Sequence, residues 1–315
     1  MSTVYQQPWQ TVDPNEWDGW LARSPHASIF MQSRYLQVVM PQGMIAWMGN
    51  KRLKNAQVAM VLPYQRRFWG TLPGAWAPPW WRYGGILWNG DYPPLRQQIR
   101  ILEQMAKVAR QYAVFHNWTA HPHSNMWLPF LDQGFSIQPR YTFCLSIRPW
   151  NEMLETFQPR MRTTMRKKLP PGHSIQWIAP DQAFQFIQAF GPERVGLRPK
   201  ALHILQRLVQ SLGSNTPLHS GAKCIGYFDH QTLRGILIVL LDQQTAYQML
   251  PVIQRAPNVA IHAWMLRWLW QSLYRQGYRE FDFMGSHLRG VLSFILKFAP
   301  NYRKYWHIRK NIWFK

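Results

Sequence analysis

Acidic side chains are scarce in this sequence. Fourteen Asp and Glu stand against thirty-six Lys and Arg, a formal charge of +22. Such a surface attracts polyanions, and nucleic acid, nucleotide-linked substrates and an anionic membrane leaflet all qualify. Cysteine is rarer still: only Cys144 and Cys224 occur, which excludes a disulfide framework or a thiolate metal set and fits a reducing compartment. Long apolar runs are missing. Ile236 to Leu241 is among the longest, far short of the roughly 18 residues of a membrane span. The first residues show no basic segment followed by an apolar stretch, so no secretory signal is read and a cytoplasmic protein is expected. Glycine-rich phosphate loops of the Walker or dinucleotide type are absent, as is the GxSxG elbow of serine hydrolases. Ser286, His287 and Asp282 do not make a triad, because adjacent side chains leave a turn in different directions. His116, His121 and His123 cluster around a proline without a nearby cysteine or carboxylate, so no metal site is expected.

What is present concentrates near the end, from Phe281 to Phe298. Phe281 and Phe283 alternate with Glu280, Asp282 and Met284, the period of a strand with one apolar face. Gly285 interrupts the run. Ser286 can cap a helix in which Val291, Phe294, Ile295 and Phe298 fall at helical spacing, and Pro300 ends it. Arg289, Ser293 and Lys297, four apart, share one face of that helix, and Asp282 leaves the strand opposite the phenylalanines. A carboxylate and two cations are therefore expected at the mouth of the turn. Spacing alone also allows Asp282 to be a cap and the cations to be solvated.

Elsewhere the pattern is mixed. Asp13 and Pro14 open a first helix, MIAWMG and AQVAMVLPY read as two strands, and a loop rich in proline, glycine and tryptophan runs from Trp69 to Tyr83. Arg66, Arg67, Arg82 and Tyr83 at its ends could form an anion-binding wall. A long amphipathic helix is predicted from Pro94 to Phe115, with Ile99, Leu102, Met105, Ala106 and Ala109 inward. Arg148 and Pro149 mark a junction between domains 1–148 and 149–315, with a last strand near 303–312 that could return to the first domain. After it, Pro159 opens the helix RMRTTMRKK. Met161 and Met165 face inward, while Arg162, Arg166, Lys167 and Lys168 crowd the rest. Like charges at this spacing cost a few tenths of a kcal/mol each, which suggests a nearby anion. Strands are then expected at Ser174 to Ile178, Ala222 to Asp229, Leu233 to Asp242 and Thr245 to Val252, with helices between and a long helix from Asn258 to Arg275. Strands and helices in this order indicate α/β or α+β layers.

FQPRMRTTMRKKLPPG, GILIVLLDQQTAYQML, PNVAIHAWMLRWLWQSLYRQGYREFDFMGS and VLSFILKFAPNYRKYWHI occur in the order found in Fem-type peptidyltransferases, bacterial enzymes that add amino acids to peptidoglycan precursors. The resemblance covers roughly residues 130 to 310. It implies tandem GNAT-like (acetyltransferase-like) domains with mixed sheets and an interdomain cleft, and transfer of an acyl or aminoacyl group to an amine of a phosphorylated, cell-envelope acceptor. It also implies aminoacyl-tRNA as donor, with no bound cofactor. Where these enzymes have Phe-Lys, this chain has Phe294-Ile295, which displaces the cation to Lys297. Phe298-Ala299 replaces their Phe-Gly.

Amide formation from an ester needs a neutral amine, a stabilised oxyanion and fixed geometry. Lys297 is assigned the developing charge or a substrate phosphate, and Asp282 either accepts the amine proton or is a structural cap. Arg162, Arg166 and Lys167 would hold phosphates, with Arg82, Tyr83, Tyr247, Ser286 and Arg289 as further binding residues; Tyr247 can equally be core. The RxxGxG loop of acyl-CoA-dependent acetyltransferases is absent, yet acyl-CoA remains the alternative donor. A non-catalytic protein that binds RNA or an anionic surface is the reading from another class.

Overall fold

The computed structural model describes residues 3–49, 51–63, 65–68, 72–122, 127–213, 220–254, 260–284 and 289–310. In chain order its elements are β1 (Val4–Pro8), α1 (Pro14–Leu21), α2 (Ser33–Val39), β2 (Met44–Met48), β3 (Val58–Leu62), β4 (Gln65–Phe68), β5 (Leu72–Trp76), β6 (Gly85–Trp88), α3 (Leu95–Tyr112), β7 (Phe115–Ala120), α4 (Leu128–Asp132) and β8 (Ser136–Ser146). There follow α5 (Trp150–Thr156), α6 (Pro159–Arg166), β9 (His173–Ile178), α7 (Pro180–Phe190), α8 (Pro199–Gly213), β10 (Ser220–Asp229), β11 (Thr232–Asp242), β12 (Thr245–Ile253), α9 (Ile261–Arg275), β13 (Glu280–Asp282), α10 (Arg289–Ile295) and β14 (Asn301–Lys310). The fold is mixed α/β. Two compact units divide the chain: Met1–Arg140 with Lys304–Lys315, and Tyr141–Arg303.

In the first unit β1, β2, β3 and β6 form an antiparallel sheet, and β4, β5, β7 and β14 are successive strands of a second. Asp13 caps α1 through the Asn15 amide at 2.9 Å, which aims Trp17 and Trp20 into the core, stacked at 5.4 Å. Each indole N–H donates to a carbonyl, of Met31 at 2.6 Å and Ala56 at 2.8 Å, so burial leaves no donor unpaired. In α3 the buried side is Ile101, Leu102, Met105, Ala106, Val108 and Ala109; Ile99 is only half-buried. The expected loop from Trp69 to Tyr83 is partly strand. β5 pairs antiparallel with β4, and Gly74–Trp76 pairs parallel with β7. Pro73 and Gly74 hide this from a sequence reading because neither favours a strand interior.

The second unit is built on strands in the order β8, β13, β12, β11, β10, β9. All neighbours are antiparallel except β12 and β13. α9 covers one face: its buried residues include Met265, Leu269, Trp270 and Leu273, and Trp270 meets Phe281 of β13 edge-on at 5.7 Å. Met161 and Met165 of α6 join the same core, as their spacing predicts.

Candidate active site

β13 is three residues long. Glu280–Asp282 pairs in parallel with Thr245–Tyr247 and antiparallel with Cys144–Ser146. Beyond Tyr247, β12 has no strand partner on that side among the described residues. Alternation turns Phe281 into the core and Asp282 to the opposite face, in register with Cys144 and Tyr247. Asp282 is 2% exposed. Thr142 Oγ1 and the Met284 amide donate to its Oδ1, the latter at 2.6 Å, and Met284 sits in the left-handed region with φ 61°. A carboxylate that holds a non-glycine residue there is a preformed turn rather than a solvated acid.

Burial pushes Asp282 up to about 6, although Thr142 and Met284 favour its charged form. Glu280, two residues back, repels it, and Arg303 attracts it. The Arg303 fork in turn grips both Glu280 oxygens, at 3.0 and 2.5 Å. Burial works against the charge of Arg303, and this bidentate pair overrides it, raising its pKa. Burial pushes the neighbouring Cys144 thiol and Tyr247 phenol far up, so both stay neutral. Asp282 is the group here whose proton is exchangeable near neutral pH.

The cationic helix α6 is pinned at both ends. The Gln158 amide at its N-cap donates to the Lys297 carbonyl at 2.9 Å, and Arg267 Nη1 from α9 binds the carbonyls of Met165 and Lys167 at 2.7 and 2.8 Å. Arg162 and Arg166 both contact Glu155, at 3.1 Å each. The chain thus supplies a counter-ion for two of the crowded arginines. Arg160, Lys167 and Lys168 are exposed and make no ion pair among the described residues. Arg162 Nη2 also donates to the carbonyls of Glu155 and Phe157 at 2.8 and 3.3 Å, so Glu155→Gln should free Arg166 alone, at a cost below about 1 kcal/mol, since exposed pairs contribute little. We expect polyanion binding to tighten and its log-log salt slope to steepen by about one; an unchanged slope would show that Arg166 does not reach phosphate.

Lys297 lies in a 3₁₀ turn, Leu296–Phe298, that follows α10. Its side chain is exposed, so it and the buried Asp282 differ sharply in access to solvent. Its carbonyl places it at the head of α6, beside the helix that carries Arg162 and Arg166. Arg82 is exposed, with its carbonyl bound by Thr119 Oγ1. Tyr83 is buried among Phe30, His121 and Tyr305. Tyr247 is buried on β12 beside Asp282. Ser286 and the mouth of the turn lie outside the described residues, and of Arg289 only the helical backbone is described. His116 is a core histidine bonded to the Ala113 carbonyl at 2.8 Å, and His123 lies outside the described residues.

Two residues escaped the sequence reading. Gln248, immediately past the last β12 residue that pairs with β13, buries Oε1 without a partner. His262, in the first turn of α9, buries Nε2 likewise; its ring stacks on Phe294 at 4.7 Å, and burial pushes it down to about 4. A polar residue inside an apolar strand or helix face is the only signal that could have found them, and orphaned buried polar atoms are rare enough to need a reason.

No protein-family model matches the chain, and no curated protein sequence does. Solved structures do. FemX matches at a TM-score of 0.69 over 96% of each chain, with 11% identity. The chain has a Fem-like, tandem GNAT fold. A tandem GNAT protein from the clavulanic acid biosynthesis pathway matches at 0.58 over 98% of each chain with 13% identity. The L-PGS of Bacillus licheniformis matches at 0.55 over 95% of this chain and 92% of that one, with 10% identity. Within the Fem-like fold, the short parallel pair β12–β13 is the feature that sets Asp282 at a strand end.

Proposed function

We propose that this protein is an acyl- or aminoacyltransferase that makes an amide on an amine of a phosphorylated, cell-envelope acceptor, with aminoacyl-tRNA as donor. The observation that carries the reading is the buried carboxylate of Asp282, held by Thr142 and the Met284 amide where β12 and β13 part, on a Fem-like fold. The amine nitrogen attacks the ester carbonyl carbon and the new C–N bond forms. Asp282 takes the amine proton, directly or through one water, and returns it to the ribose oxygen as the ester C–O bond breaks. Lys297 offsets charge on the tetrahedral oxygen or on a substrate phosphate, and the free cations of α6 hold the phosphorylated partner.

The edge of β12 beyond Tyr247, which has no strand partner on the β13 side among the described residues, and the likeness to a tandem GNAT protein described without AcCoA favour one alternative, an acyl-CoA thioester in the same site. Turnover measured with charged tRNA and with acyl-CoAs, before and after ribonuclease, separates the donors. Ribonuclease-sensitive product supports the first reading, and product that survives supports the thioester. RNA affinity that collapses with salt, without turnover on either donor, would leave only a binding protein. Lys297→Ala should lower turnover about tenfold, a modest loss because an exposed ammonium acts through a high dielectric; unchanged turnover would remove Lys297 from the mechanism.

A further inference from the structure

Away from Asp282, two turns of the second unit meet at one corner. His173 opens β9 and pairs in register with Asp229, the last residue of β10. His230 and Gln231 form the two-residue turn from Asp229 to Thr232, and both are left-handed, with φ 46° and 70°. Hairpin turns of this shape favour Asn-Gly, because both central residues need positive φ. This chain instead keeps a histidine there, and strain of this kind marks positions with work to do.

Gly172 completes the corner. Its carbonyl accepts from the His230 amide at 3.0 Å, and a Cβ at 172 would lie 2.4 Å from the His230 ring, so only glycine lets the imidazole rest there. His230 Nδ1 stands 2.8 Å from Asp229 Oδ1, and His173 Nε2 stands 3.6 Å from the same oxygen. One atom from each of the three residues lies within 4.8 Å of the other two.

We propose that His173, Asp229 and His230 form a site for a divalent first-row transition metal of the zinc class, with its fourth position open. Tetrahedral zinc with bonds of about 2.0–2.2 Å keeps its ligands roughly 3.3 Å apart, a value bracketed by the two distances above. Two imidazoles and one carboxylate select zinc, cobalt, nickel or copper over calcium and magnesium, which prefer oxygen throughout. The surroundings fit as well. Tyr227 Oη lies 2.6 Å from His173 Nδ1; accepting the Nδ1 proton, it leaves the Nε2 lone pair for the metal. Arg234 Nε, 3.6 Å from Asp229 Oδ2, steadies the second carboxylate oxygen. A cavity of 450 Å³ lined by Gly172, Ser174, Gln176, Phe228, His230 and Gln231 meets the group only through His230. An imidazole–carboxylate hydrogen bond alone would need neither the strained turn nor Tyr227.

The proposal does not depend on the transferase reading. Full-length protein, stripped with chelator and dialysed, is titrated with cobalt(II) chloride by visible absorption and with zinc chloride by calorimetry. One saturable equivalent is expected, with the visible bands of low-symmetry cobalt and a melting temperature that rises with zinc. Asp229→Asn, His173→Ala and His230→Asn should each weaken binding at least tenfold, the last keeping a residue that tolerates the left-handed turn. Tyr227→Phe should weaken it about tenfold while leaving the fold intact. His203→Ala, exposed on α8, should change nothing. Absence of a saturable equivalent, or one that survives in both Asp229→Asn and His230→Asn, would overturn the site.

Discussion

Asp282→Asn should abolish most amide transfer, by about 10²- to 10⁴-fold, while making the protein harder to unfold at pH 7.5. The two effects share one cause. Asp282 is buried, and its carboxyl titrates at about 6 in the fold against about 3.9 when unfolded. Between those values the folded state holds a proton that the unfolded chain has lost, so stability falls as pH rises through the window and the full cost stands above pH 6. That cost is on the order of 2–3 kcal/mol. Asparagine carries no charge, and its oxygen can still accept from Thr142 and the Met284 amide, both of which address Oδ1. Urea melts at pH 7.5 and pH 4 check the first half: the variant should gain at pH 7.5 and converge with the parent near pH 4. Turnover against pH checks the second. The parent's rate should climb through an apparent pKa near 6 as the base ionises, and the variant's residual rate should stay flat. A variant that is destabilised at pH 7.5 yet fully active would return Asp282 to the role of a cap.

Much of this arrangement was legible before any coordinates, because period-two alternation is local. Phe281, Asp282 and Phe283 fix which way the carboxylate points, and the core faces of α6 and α9 follow from methionine and leucine spacing. What sequence could not supply are partners from distant strands. Thr142 and Cys144 reach Asp282 only because β8 lies beside β13, and the one carboxylate of Glu155 is shared by Arg162 and Arg166 from a preceding helix. The expected single face shared by Ser293 and Lys297 assumed a regular α-helix, whereas the backbone tightens to 3₁₀ at Leu296. The β4–β5 hairpin was hidden for the opposite reason: proline and glycine argue locally for a loop, and pairing with β7 overrides them. His173 and His230 belong to separate turns and carry no spacing signal at all.

Phe298→Ala should cost about 3–5 kcal/mol, the largest stability loss we expect from one side chain near the site. Phe298 is fully buried. Its ring meets Phe157, Trp270 and Phe294 edge-on at 5.3, 5.1 and 5.1 Å and stacks on Phe283 at 6.0 Å. From its 3₁₀ turn it therefore ties together the segment before α6, the long helix α9, α10 and the residue that follows Asp282. Four aromatic neighbours leave a cavity that rigid rings cannot close, which puts the loss at the upper end for such a truncation. Domains have only about 5–15 kcal/mol to lose, so the alanine variant should be marginal, and Phe298→Leu, which refills most of the volume, should lose about 1 kcal/mol. The leucine variant is the informative one for function. Lys297 precedes Phe298 and its carbonyl caps Gln158, so a looser ring position should first appear as faster amide exchange in α6, with α3 of the other unit unchanged. Urea melts and hydrogen exchange measure both quantities. A loss below about 1 kcal/mol for the alanine variant, or exchange in α6 that does not move, would mean that the cationic helix is held independently of this aromatic cluster.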